Sequence, residues 1–467
     1  MRTVGTPAAR LAVVAALAFW IALSLLPFPR PAPVPATAPA RDFSTERALE
    51  HVRAIAQRPH PPGSAEHDRV RDYIRGALAS LGLASELETG VAEFSRGRFH
   101  ASGRVENIVA RLPGAASTRP VMLVAHYDST PRGPGAADDA HGVAVLLETL
   151  RALRGAPPLR NDVIFLITDG EEKGLLGAAL FMREHPWRNQ PAVVLNFEAR
   201  GTGGYANMFE TSAGNAWLIR DLQAAVPQAY ATSFAYEVYR RMPNDTDLTI
   251  FKAGGLAGMN FAFIEHPEFY HRPQDDLAHL DPRSVQEQGR YALSLARRFG
   301  DQDLSRRHTG NAVYFPTRIT PLIVYPASWV LPLAWIAAVA LAAAAWWGWK
   351  RRARGLWMAV PLALAALLAF LVAAPAPGVS YLFEWPLLAA IAAFALLVTA
   401  PPTIAIGWRL AAMLLLPAPV LLLLLFPLGP VIVALGLRAS APVLALAAAL
   451  MLICLSPQVA LALRRKR

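Results

Sequence analysis

A chain of 467 residues with 54% hydrophobic side chains and a formal charge of +11 is too long for one small domain and too apolar to be soluble throughout. The charge does not mark a nucleic-acid partner. Part of the excess sits in Lys350–Arg354 and Arg464–Arg467, beside apolar runs, and the stretch between the apolar ends has no basic stripe interleaved with aromatics. The only cysteine, Cys454, lies in an apolar run, which excludes an intrachain disulfide and any cysteine-based centre in the middle of the chain.

The chain opens with Arg2 and Arg10 around an uncharged run at 11–28, so residues 1–30 read as an N-terminal transmembrane anchor or a signal, and the length of the run favours the anchor. Residues 31–41 are a Pro/Ala-rich linker, stiff enough to hold a domain clear of a bilayer. From Asp42 to about residue 315 the composition is that of a folded domain. Helical spacing runs through S-T-E-R-A-L-E-H-V-R-A-I-A and, after a Pro-rich turn, through D-R-V-R-D-Y-I-R-G-A-L-A-S-L-G-L. Short apolar runs at 107–112, 121–125, 162–168, 192–197 and 259–264 then alternate with helical stretches. The runs at 121–125, 162–168 and 192–197 are nearly continuous, as strands buried on both faces require. This predicts an α/β fold with a mostly parallel central sheet flanked by helices. Residues 321–467 read as a C-terminal α-helical transmembrane bundle, with spans near 322–347, 356–374, 381–400, 405–426 and 441–462. Placing both basic clusters inside puts the domain on the outer side of the membrane, and the composition suits a bacterial inner membrane.

Metal-type residues fall where the predicted strands end. His126 closes one strand, Glu171 and Glu172 follow another, and Glu198 closes a third, so an open α/β sheet would gather them at its carboxyl edge. Asp138 lies in the loop G-P-G-A-A-D-D-A-H-G, and His271 in Y-H-R-P-Q-D-D. Two imidazoles and three carboxylates can hold two divalent cations if one carboxylate bridges them, and a further carboxylate supplies the general base of metal-assisted hydrolysis. Each residue also has a plainer reading. His126 suits a structural histidine, Asp138 and Asp139 a turn capping the next helix, and Glu171-Glu172 a charged helix start. Glu198 suits a strand-end partner of Arg200, and His271 a solvated loop. The other histidines (51, 60, 67, 141, 185, 266, 279) read as structural or surface. Asp128, two residues after His126, is placed to accept the second N–H of that imidazole.

Taken together, P-P-G-S-A-E-H-D-R-V-R-D-Y-I, A-H-Y-D-S, D-D-A, D-G-E-E-K-G-L-L-G-A, N-F-E-A-R-G-T-G-G, N-D-T-D and Y-H-R-P-Q-D-D resemble the M28 family of zinc metallopeptidases. The resemblance runs from about His60 to Arg290, and the apolar spans make the chain similar to the membrane-bound vacuolar and endoplasmic-reticulum branch. It implies two Zn2+ per chain, with Asp138 bridging, Glu172 and His271 completing one site, and His126 and Glu198 the other. It further implies Glu171 as general base, with Asp128 as the carboxylate behind His126, and release of N-terminal amino acids from peptides or proteins. Three positions differ from common members: Ala137 stands where many carry Asp, Asp139 where Asn is frequent, and Glu198 where several soluble members use Asp. The alternatives are a single-zinc glutaminyl cyclase-type enzyme and a catalytically inert membrane subunit. The bilayer is the other expected partner, and the sequence leaves oligomeric state open.

Overall fold

The structure, a computed structural model, describes residues 28–240, 242–306, 310–316, 321–330 and 332. The expected N-terminal anchor and nearly all of the expected C-terminal spans lie outside the described residues. Among the described residues no helix is long and apolar enough to cross a membrane.

Pro29–Thr232 and Tyr239–Tyr325 form one compact unit. It is built on an eight-stranded sheet in the order β1-β2-β4-β3-β5-β8-β6-β7. The strands are β1 (Ser85–Arg96), β2 (Phe99–Leu112), β3 (Val121–His126), β4 (Val163–Thr168), β5 (Val193–Ala199), β6 (Asn207–Thr211), β7 (Tyr230–Ala231) and β8 (Gly258–Phe263). The four central strands, β4-β3-β5-β8, are parallel. The margins are not: β1 with β2, β2 with β4 and β6 with β8 are antiparallel, so the sheet is mixed. A separate pair joins β9 (Ala312–Phe315) to β10 (Ile323–Pro326).

Alternation explains why the central strands read as continuous apolar runs. Val121, Leu123 and Ala125 of β3 enter one hydrophobic cluster, and Met122 and Val124 enter another. Val163, Phe165 and Ile167 of β4 divide from Ile164 and Leu166 in the same way. Helices cover both faces. The larger cluster packs against α1 (Thr45–Ile55), α2 (Ala65–Ser80), α3 (His141–Arg154), α5 (Ala216–Ala225) and α8 (Pro282–Gly300). The smaller packs against α4 (Leu176–Glu184) and α7 (Asp247–Ala253). Burying each of these aliphatic or aromatic side chains contributes on the order of 1.5–3 kcal/mol. Local signals fix where the covering helices begin. Ser44 Oγ accepts from Arg47 N at 3.3 Å, Ser64 Oγ from His67 N at 3.2 Å, and Asp281 caps α8 with Pro282 next in line. The other unit holds most of the short helix α6 (Ser233–Tyr239) and a 3-10 turn at Ala327–Trp329.

The β1–β2 hairpin reaches beyond the rest of the sheet. β2 pairs with β4 only from Ile108 to Leu112, while its pairing with β1 continues to Arg96↔Phe99. The hairpin therefore overhangs the carboxyl end of β4, where the segment Asp169–Leu175 begins. Two glycines let that segment lie against it. A Cβ on Gly170, at φ +69°, would stand 2.9 Å from Val105, and one on Gly174, at φ +119°, 2.9 Å from Phe99 and Ala101.

Candidate metal centre

Because β3, β4 and β5 run parallel, their carboxyl ends deliver His126, the segment after Thr168 and Glu198 to one edge of the sheet. The loop before α3 brings in Asp138, and the segment after β8 brings in His271. Asp138 lies between the two imidazoles: its Oδ1 is 3.2 Å from His126 Nε2 and its Oδ2 is 3.0 Å from His271 Nε2. Glu172 Oε2 stands 3.0 Å from His271 Nε2, and Glu198 Oε2 3.7 Å from His126 Nε2. Two donor groups result, each with its ligand-type atoms within 4.8 Å of one another: His126, Asp139 and Glu198, and Asp138, Glu172 and His271. The partnership of Glu198 with Arg200 is not made.

The carboxylate of Asp139 belongs to the first group by distance, but its oxygens have other work. One accepts the backbone N–H of His126 and the other that of Gly142, each at 3.2 Å, which ties the loop to β3 and caps the start of α3. Asp138 keeps both oxygens turned to the imidazoles.

The surroundings hold these groups in place. His126 Nδ1 faces the backbone carbonyl of Asp128 at 2.9 Å, with the Asp128 carboxylate farther away at 3.5 Å, so the tautomer that leaves Nε2 toward Asp138 is favoured. The Asp128 carboxylate instead accepts the backbone N–H of Glu171 at 3.0 Å and of Glu172 at 3.2 Å. It therefore links the strand of His126 to the pair of glutamates. Asp275 does the same for the bridging loop, accepting Ala137 N at 2.6 Å and Asp138 N at 3.3 Å. Asn196, on β5, donates to Glu198 Oε1 at 3.0 Å. His67 pairs with Asp169, the first residue of D-G-E-E, at 2.8 Å. Tyr270 stacks on His271, ring centroids 3.7 Å apart. Sequence reading gave Asn196 and His67 no role at the site. Asn196 lies two residues before Glu198 on a strand, so period two alone placed it on the same face.

The electrostatics are those of a cation site. Burial, then neighbouring charge, raises Glu172 and Glu198 each to about 8. Burial, then Glu198, also holds Glu171 well above the usual carboxylate range. Burial would raise Asp138 too, but His126 and His271 outweigh it and hold it well below that range. Burial opposes protonation of His271, yet its bonds to Asp138 and Glu172 bring it up to about 10. One buried oxygen, Glu172 Oε1, has no hydrogen-bond partner. Two imidazoles, crowded carboxylates and an unsatisfied buried oxygen fit divalent cations such as zinc.

Comparison with known proteins agrees with this chemistry. Residues 107–296 match the profile of Peptidase family M28. They form an M28 domain, that of a zinc-dependent peptidase family. The chain is 29% identical over 309 residues to endoplasmic reticulum metallopeptidase 1 of Mus musculus, covering 62% of this chain and 34% of that protein. It is 34% identical over 239 residues to the vacuolar membrane protease of Candida albicans (strain WO-1), covering 50% and 28%. The chain thus spans about a third of the length of the curated relatives it matches. Among solved structures, an aminopeptidase from Aneurinibacillus sp. strain AM-1 superposes with a TM-score of 0.47 at 14% identity, over 56% of this chain and 95% of that one.

Proposed function

We propose that this M28 domain belongs to a membrane-anchored di-zinc peptidase that releases N-terminal amino acids from peptides. Two cations would be held by Asp138, shared between them, with Glu172 and His271 in one ligand set and His126 and Glu198 in the other, and Glu171 would serve as the general base. The observation that carries the reading is the stance of Asp138, one oxygen toward each of two imidazoles that belong to separate donor groups. The domain is 42–315, joined by the linker 31–41 to an N-terminal anchor in 1–30 and followed by the membrane domain 321–467. The apolar runs and the placement of basic residues favour a peptidase domain on the extracytoplasmic side.

Cations held by these ligands would polarise a peptide carbonyl and lower the pKa of water toward neutrality. The protein's own part is proton handling and positioning. Glu171, held next to Glu172 by the Asp128 carboxylate, is placed to take a proton from the attacking water and return it to the leaving amine. Asp128, by accepting both N–H groups of the glutamate pair, keeps the base and the ligand beside it in fixed register with His126. Asp139 and Asp275 hold the bridging loop from its two sides.

The test uses the full-length chain in detergent, with metal content measured by mass spectrometry and hydrolysis followed on aminoacyl chromogenic substrates. The expected result is two zinc ions per chain and chelator-sensitive release of the N-terminal residue. Glu171→Gln should abolish turnover while keeping the metal. One zinc with no hydrolysis would replace this reading with single-zinc cyclase chemistry, and full activity in Glu171→Gln would remove the base assignment.

A further inference from the structure

Arg200, like Arg290 on α8, differs from the other half-buried arginines of the domain, and of these two it is the one that lies beside the candidate centre. Arg30 pairs with Asp281 at 2.8 Å, Arg47 with Glu148 at 2.9 Å, Arg71 with Glu106 at 2.5 Å, and Arg111 with Asp162. Arg200 is also half-buried, yet among the described residues its guanidinium makes no ion pair and no hydrogen bond. Its one specific contact is with a ring: Cζ lies 5.6 Å from the centroid of Tyr270. Tyr270 is itself stacked on His271 at 3.7 Å, so one aromatic ring separates this cation from a proposed ligand. Glu198, the nearest acid along the strand, is already committed to Asn196 and His126.

The backbone fixes where this side chain starts. Arg200 N continues the β5–β8 ladder by donating to Phe263 O at 3.0 Å, so Arg200 follows Glu198 on the same side of the strand. The next residue admits no side chain, since a Cβ on Gly201 would stand 2.1 Å from Glu265 O. A planar five-donor fork is thus presented beside the centre with its hydrogen-bonding capacity unspent. Such a group matches a carboxylate through paired, charge-assisted bonds. An extended peptide advances about 3.3–3.6 Å per residue, so a group reaching from the centre past one aromatic ring lies one or two residues from the scissile bond.

We infer that Arg200 anchors a carboxylate of the substrate, which makes the preferred substrates short peptides bearing a carboxylate within one or two residues of the bond that is cleaved. This rests on the peptidase reading above. The carboxylate comes either from the chain terminus of a di- or tripeptide or from an acidic side chain, and substrate choice separates the two.

The experiment compares wild type, Arg200→Ala and Arg200→Lys, each full-length and zinc-loaded, on leucyl-alanine, leucyl-alanine amide and aspartyl-alanine amide. Losing a hydrogen-bonded charge contact should lower kcat/KM about ten- to hundredfold for the carboxylate-bearing substrate alone, mainly through KM, with partial recovery in Arg200→Lys. A loss confined to leucyl-alanine identifies the chain terminus, and one confined to aspartyl-alanine amide identifies the side chain. Equal losses on all three substrates, or none, overturn the proposal while leaving a working peptidase. A second arm measures binding of leucyl-alanine, leucyl-alanine amide and aspartyl-alanine amide by calorimetry in Glu171→Gln, with Arg200 intact or replaced. An Arg200-dependent preference for either carboxylate-bearing ligand over leucyl-alanine amide supports the anchor even if hydrolysis fails, and the absence of both overturns it. Zinc content of each variant reports whether the centre has formed.

Discussion

Replacing His67 by alanine tests whether the glutamate-bearing segment is held from behind by a buried ion pair. His67 and Asp169 are 3% and 1% exposed, and they meet at 2.8 Å. Asp169 also accepts Glu106 N at 2.9 Å, and the His67 ring stacks on Tyr127 at 4.7 Å. Removing one partner of a buried pair costs about 3–5 kcal/mol when the other charge is stranded, and Asp169 keeps one donor, so the lower end applies. With lost stacking of about 0.5–1.5 kcal/mol the total is about 3.5–4.5 kcal/mol. For a domain of this size that is a fall in Tm of roughly 7–18 °C. The assay is thermal unfolding of the full-length chain followed by tryptophan fluorescence. Adding Asp169→Asn to His67→Ala removes the stranded charge and should recover about 1 kcal/mol or more, a coupling read from the double-mutant cycle. The pH dependence has a definite sign. Burial works against protonated His67, but the bond and charge of Asp169 outweigh it and raise its pKa, while burial raises Asp169. Both groups bind protons more tightly when folded: the His67 contribution is full below its unfolded value of about 6.5 and is lost as pH rises through its raised folded value, while that of Asp169 is full only below its unfolded value of about 3.9 and fades as pH rises through its own raised value. The coupling should be larger at pH 6 than at pH 9. A Tm shift under about 2 °C, or a coupling that does not vary with pH, would refute the argument.

The same geometry sets three further outcomes. Asp275→Ala leaves the N–H groups of Ala137 and Asp138 without their acceptor, which should cost about 1–3 kcal/mol in urea unfolding, with Asp275→Asn losing less because it keeps an acceptor oxygen. Asn196→Ala frees Glu198 to turn, so zinc affinity measured by competition with a chromogenic chelator should weaken about 10–100-fold, and an unchanged affinity would show that Asn196 does not orient Glu198. Free zinc at a hundred times its Kd should stabilise the wild type by about 2.7 kcal/mol over the chelator-stripped protein. A His126→Ala variant should show much less of that gain in the same melting assay.

The parts of this molecule that could be read from its sequence are those where a local pattern repeats a long-range constraint. Strands β3, β4 and β5 are apolar at nearly every position because alternate residues serve opposite clusters, and that demand is visible as three nearly continuous runs. Their common direction then carries His126, the Glu171-Glu172 pair and Glu198 to one edge. The β1 strand has no such mark. All but Ala92 of its residues are exposed or half-buried, with exposed polar residues such as Glu86 and Glu93, because it lies at the sheet margin and is held by its pairing with β2. The antiparallel margins were illegible for the same reason.

The supports of the site were hidden by a different cause. Asp128 was legible as a carboxylate beside His126, but its bonds to the N–H groups of Glu171 and Glu172, like those of Asp275 to the bridging loop, were not, because every residue offers a backbone N–H. His67 and Asp169 are 102 residues apart and meet only because α2 and the end of β4 converge. Arg200 is the converse case. Its neighbour Glu198 suggested a local ion pair, and the structure shows both groups turned to other business, Glu198 toward His126 and Arg200 over Tyr270. A half-buried guanidinium without an acid, one ring away from a cluster of carboxylates and imidazoles, keeps its donors open to a ligand. The absent partner is therefore informative about the substrate in a way that the ligand residues, whose chemistry any peptide bond would satisfy, are not.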